Sequence, residues 1–150
     1  MNFKKLAKNI LPPGLIPFAV FVAGKTPKQL LKKYINNGYI PWSEGYTVHR
    51  GNIIRSSINN DHLLEDFRLN KTLPQSYGLY LDERCVEYPW LFSRLPERAT
   101  HILDAGSVLN HEYILEHSYF RNKTLHIVTL APEELCFWEK GISYFFGDLR

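Results

Sequence analysis

Two carboxylates stand where an apolar run gives way to glycine: Asp104 in Ile102-Leu103-Asp104-Ala105-Gly106-Ser107, and Asp148 in Tyr144-Phe145-Phe146-Gly147-Asp148-Leu149-Arg150. A strand that ends in an acid and a glycine brings backbone close to a nucleotide-type cofactor, and the acid accepts from amino or hydroxyl donors. Taken alone, Asp-x-Gly is also ordinary turn chemistry. Its weight depends on what positions it.

From Ala99 onward the pattern alternates: a strand near 100–105, a helix over 110–119, a strand over 125–130, a helix over 132–140 and a strand over 142–146. Strands alternating with helices of this length predict parallel pairing. The expected fold is α/β, a truncated Rossmann-like βαβαβ sheet behind an N-terminal helical cap. The ends of its strands, at Asp104, Thr129 and Asp148, share the carboxyl edge where open sheets bind ligands.

Upstream, Thr26 as N-cap and Pro27 at N1 open a helix with Leu30, Leu31, Tyr34 and Ile35 inward and Lys28, Lys32 and Lys33 in water. Asn36-Asn37-Gly38 ends it. The aromatic loop Tyr39–Tyr46 either packs over a core or lines a pocket, and Tyr88 and Trp90 carry the same ambiguity. His49 to Leu69 predicts one or two helices broken at Asn59-Asn60-Asp61, with Asp61 capping the second. The polar stretch 70–78, with Pro74 and Gly78, marks a boundary between a helical cap, 1–78, and a cofactor-binding domain, 79–150. A further helix from Asp82 to Leu95, bent or split at Pro89, turns Val86, Trp90, Leu91 and Leu95 inward.

An apolar share of 45% against 22% charged is that of a folded protein and excludes a disordered chain. Seven of the 18 basic residues precede the first acidic one, Glu44, so the remainder is net acidic and general nucleic-acid binding is unsupported. The lysine-rich N-terminal arm is read as solvated, with contact to a membrane surface as its alternative. Its apolar run Leu11–Ala23 is interrupted by Pro12, Pro13, Gly14 and Pro17 and is too short to span a bilayer. Cys85 and Cys136 have no disulfide-framework or zinc spacing, which predicts a reduced, cytoplasmic protein. No metal site is expected, since His111 and His117 do not share a helical face. Ser107 lacks the Gly-x-Ser-x-Gly setting of a hydrolase.

Over residues 80–150 the chain resembles the class I S-adenosylmethionine-dependent methyltransferases. Ile102–Ser107 stands in the place of that family's first glycine motif and Phe146–Arg150 in the place of its third-strand motif. The run Asp82–Trp90 is similar to the helix before the first strand in bacterial members associated with cell-surface polysaccharide synthesis. The resemblance implies S-adenosylmethionine as cofactor. Asp104, Gly106 and Ser107 would then hold its methionine end, and Asp148 with the Leu149 backbone its adenine. With Pro132 aligned to the family's proline, Thr129 falls where the family's ribose-binding acid stands, and Glu133 or Glu134 would reach the ribose instead. The catalytic residues are unassigned.

The chain departs from that pattern at Val108 and Asn110, where glycines are usual, and at Thr129, where an acid is usual. Family members complete the site with further strands. The resemblance therefore implies an N-terminal portion that binds cofactor weakly or not at all and has no turnover alone. Its first strand would be an exposed edge, open to self-association or to a protein partner. The alternative is a non-catalytic interaction module that retains the half-fold.

Overall fold

The computed structural model describes residues 25–131 and 136–148, which divide into two compact units between Arg94 and Leu95. The first is helical: α1 (Pro27–Asn36), α2 (Tyr46–Ile58), α3 (Asp61–Arg68) and α4 (Arg84–Phe92). The expected boundary at 78/79 differs from this division because α4 packs on α2 and α3, within the helical unit.

Local chemistry accounts for each helix. Thr26 and Gln29 close a reciprocal capping box at the start of α1, with Pro27 at its first turn. Leu30 and Tyr34 are its buried stripe, while Ile35 stays 42% exposed. Gly45 starts α2 at φ +92°, and a Cβ there would lie 2.1 Å from the Leu30 carbonyl oxygen, so only glycine fits. Asn60 caps α3 by accepting from the Leu63 N–H; Asp61, expected in that role, is the first helical residue.

Pro89 neither ends nor splits α4. Proline removes one N–H, which strands the carbonyl four residues earlier, that of Cys85. The Tyr77 hydroxyl donates to that carbonyl at 2.8 Å and shares a second 2.8 Å hydrogen bond with Ser57 Oγ. The inward stripe is Cys85, Tyr88, Pro89 and Phe92, whereas Val86 and Trp90, expected inside, are 42% and 49% exposed. Asp82 Oδ2 meets Arg50 Nη1 at 2.5 Å, an ion pair with both side chains 8% exposed, and Asp82 Oδ1 accepts from the Arg84 N–H.

The second unit carries β1 (His101–Ala105), α5 (Glu112–Leu115), β2 (Thr124–Thr129) and β3 (Ser143–Phe146), with 3-10 turns at Ser118–Phe120 and Trp138–Lys140. The expected helix over 110–119 is thus one short helix and a separate 3-10 turn. The start of the next expected helix, including Pro132 and Glu133, lies outside the described residues, as do Leu149 and the N-terminal arm. The strands pair in parallel in the order β1-β2-β3, the α/β arrangement that the alternation predicts.

Among the described residues, one face of this sheet is covered and the other is largely exposed. Asp104, Leu125, Ile127 and Thr129 are buried on the covered face, and Leu109, Ile114 and Ile142 add to the same unit's core. On the other face, Ala105, Val128 and Phe145 are laterally paired, as are Leu103, His126 and Ser143. There Leu103 is 64% and Phe145 63% exposed. Parallel sheets normally have both faces covered, so this surface is unusual for its class.

Candidate functional site

Parallel pairing puts the ends of β1, β2 and β3 at one edge. The ladder continues one step past them, with Gly106 N–H donating to Val128 O at 2.8 Å and Gly147 N–H to Thr129 O at 3.0 Å. Two strand spacings of about 4.8 Å separate β1 from β3. The residues expected at the carboxyl edge are therefore brought together there.

Strand alternation sends Asp104 to the covered face, where it is 5% exposed. Its carboxylate reaches forward into the turn, Oδ1 accepting from Val108 N–H at 3.0 Å and Oδ2 from Leu109 N–H at 2.7 Å. The Ser107 N–H is a third donor. Burial raises the carboxyl above its usual range, and the Leu109, Val108 and Ser107 donors pull it back only in part. Asp104 thus organises the loop from behind.

The loop it holds turns through left-handed backbone, Gly106 at φ +117° and Ser107 at φ +66°. A Cβ at Gly106 would meet nothing within 4 Å, so glycine is needed for its dihedral and the space above is open. The N–H groups of Gly106, Ser107, Val108 and Leu109 are all engaged inside the protein. A diphosphate cradle needs such donors facing outward. Past β3, Asp148 is exposed at the same edge.

Thr129 occupies the end of β2. It is buried, and its Oγ accepts from Ala131 N–H at 3.1 Å, while the Tyr144 hydroxyl donates to Ala131 O at 2.5 Å. Both residues fix the turn, a role that sequence patterning did not single out for Tyr144. Glu133, Glu134 and Leu149 lie outside the described residues.

Other candidates resolve into structural roles. His117 Nδ1 accepts from Tyr119 N–H at a 3-10 turn, and the His111 ring stacks on Tyr113 at 5.4 Å. Among the described residues no group of three or more metal-ligating side chains gathers, and no helix is long and apolar enough to cross a membrane. The aromatics Tyr39, Trp42, Tyr46, Tyr88 and Trp90 all belong to the helical unit, where Tyr46 and Tyr88 are core. That unit has a hollow of about 280 Å³ beside Ser57, Asn60 and Tyr77. Its polar groups are already engaged, Asn60 in capping α3 and Tyr77 with Ser57 and Cys85.

No family model, curated protein or solved structure matches this chain.

Proposed function

We infer that the strand unit is the cofactor-binding half of an S-adenosylmethionine-dependent methyltransferase, with the ligand along the carboxyl edge of β1 to β3. The observation that carries this reading is the Asp104 loop. Its N–H groups are spent inside the protein and the space above Gly106 is open, which suits a ligand that brings cationic and amino groups rather than a diphosphate. A dinucleotide, which brings a diphosphate, would find no free donors on this loop. S-adenosylmethionine supplies an ammonium, a sulfonium and an adenine amino group.

In this reading Asp104 holds the Gly106-Ser107 turn, Gly106 admits close approach, and Asp148 accepts from the adenine amino group beside Leu149. Glu133 is proposed as the ribose contact. The cofactor supplies an already reactive methyl group, and the protein's part is to position it and exclude water. Saturation-transfer NMR with S-adenosylhomocysteine tests the assignment. Asp148→Ala is expected to weaken binding about tenfold, the loss of one good hydrogen bond. Gly106→Val, which cannot hold the turn's dihedral, is expected to abolish it. Unchanged transfer in both variants would contradict the reading.

The open sheet face favours a second reading, a non-catalytic module that binds a protein partner or a second copy. Leu103 and Phe145 are each more than 60% exposed on that face. Sedimentation velocity would show self-association that Leu103→Lys abolishes; a strictly monomeric chain with no protein ligand would count against it.

A further inference from the structure

An asparagine followed directly by glycine brings a side-chain carboxamide and a backbone nitrogen together with the least obstruction, because glycine places no side chain over its own N–H. Asn37-Gly38 is the one such step in the sequence. It lies at the end of α1, where Asn37 is the C-cap and Gly38 turns at φ +74°.

The asparagines flanking the other helix ends are engaged. Asn59 Nδ2 donates to Arg55 O at 2.8 Å, Asn60 Oδ1 accepts from Leu63 N–H at 3.1 Å, and Asn70 Oδ1 accepts from Arg94 Nη2 at 3.2 Å. The Asn37 carboxamide has no hydrogen-bond partner among the described residues, and Asn37 and Gly38 are both exposed. A Cβ added at Gly38 would meet nothing within 4 Å, so the space over this peptide is open.

One contact opposes reaction between the two groups. Gly38 N–H donates to Ile35 O at 3.0 Å, and that bond must open before the nitrogen can attack. It belongs to the exposed last turn of α1, and helix ends open far more readily than packed cores.

We propose that Asn37 is a site of spontaneous deamidation whose product unlatches the aromatic loop from α1. With the last turn open, a hydroxide or buffer base takes the Gly38 amide proton and the nitrogen attacks Asn37 Cγ. The new N–Cγ bond forms, the Cγ–Nδ2 bond breaks, and the amide nitrogen leaves as ammonia, carrying a proton back from the base. Water then opens the cyclic imide at either carbonyl, giving aspartate or isoaspartate. In isoaspartate the main chain runs through the side chain and is one carbon longer. The added carbon falls beside the hydrogen bonds that close the turn, Gly38 N–H to Ile35 O and Tyr39 N–H to Tyr34 O at 3.2 Å. The hydroxyl of the buried Tyr34, which donates to Tyr39 O at 3.2 Å, loses its geometry with them. Either product also sets a carboxylate at the negative end of the α1 dipole.

The test is incubation of the full chain, folded and in urea, at mildly alkaline pH in water enriched in heavy oxygen, followed by peptide mapping. The folded chain is expected to take up one heavy oxygen in the Asn37 peptide, resolved into aspartyl and isoaspartyl forms, at least about tenfold faster than at Asn70 or Asn122. Urea should speed the uptake by removing the Gly38–Ile35 bond. Asn37→Gln, a change at an exposed side chain, should abolish it with the helical circular-dichroism signal retained. Amide exchange at Tyr39 should be faster in the converted fraction than in the parent, an effect that freshly prepared Asn37→Asp, which adds the charge alone, does not reproduce. An Asn37 that stays intact in the folded chain while the unfolded chain converts would overturn the proposal. So would conversion no faster than at Asn70, or parental exchange at Tyr39 in the converted fraction.

Discussion

Asp104 is a buried carboxylate whose acceptors are spent on its own loop. Asp104→Ala removes the partners of three backbone N–H groups, and the strand unit is expected to lose about 2–3 kcal/mol, read by amide exchange. Burial raises its pKa, so the sign of its pH effect is opposite to that of an ordinary ion-paired aspartate. The folded state is penalised as pH climbs through the usual carboxylate range to the raised folded value, and no penalty exists below the unfolded pKa. The stability of the parent relative to Asp104→Asn should therefore fall as the pH rises above the usual carboxylate range. An unchanging difference would mean that the carboxylate is not desolvated as described. Cys85 gives a simpler check: burial, with the nearby Asp82 charge, pushes its thiol up to about 12, so it should resist alkylation at neutral pH until the chain unfolds. At this scale Asp104 and Gly106 were legible because strand, acid and glycine follow one another directly. The Arg50–Asp82 pair and the Tyr77–Cys85 bond were not, because their partners are joined only by tertiary packing.

Among the elements, α4 and the α1–α2 connection carry the most specific expectations. Tyr77→Phe would leave the Cys85 carbonyl, already bereft of its helical partner by Pro89, unpaired in a part-buried position. A loss of about 1–2 kcal/mol is expected in urea unfolding. Asp82→Ala should cost about 3–5 kcal/mol, since it removes the carboxylate that neutralises the buried Arg50 guanidinium. Gly45→Ala, which adds a clash with the Leu30 carbonyl to a strained dihedral, should cost about 3 kcal/mol or more. Element order and type were readable from periodicity, and the Thr26 cap from its box. The inward face of α4 was missed because Val86 and Trp90 are apolar yet exposed, while Cys85, Tyr88, Pro89 and Phe92 form the stripe. The short α5 was over-extended because His111 to Tyr119 is mixed in polarity without a sustained period.

Across the whole molecule, a helical unit with exposed aromatic loops accompanies a strand unit whose described residues leave one sheet face largely exposed. The alternation of strands and helices made the parallel sheet foreseeable. Which face would stay exposed was not, because the strands are apolar on both faces and only the structure shows Leu103 and Phe145 more than 60% exposed. The proposed S-adenosylmethionine site at the strand edge is built around Asp104. An amide-resolved NMR titration with S-adenosylhomocysteine, up to about 5 mM so that weak affinity is captured, tests it directly. Saturable shifts are expected at Gly106 to Leu109, Thr129 to Ala131 and Gly147 to Asp148, diminished in Asp148→Ala. Shifts absent at those amides, or confined to the helical unit, would contradict it.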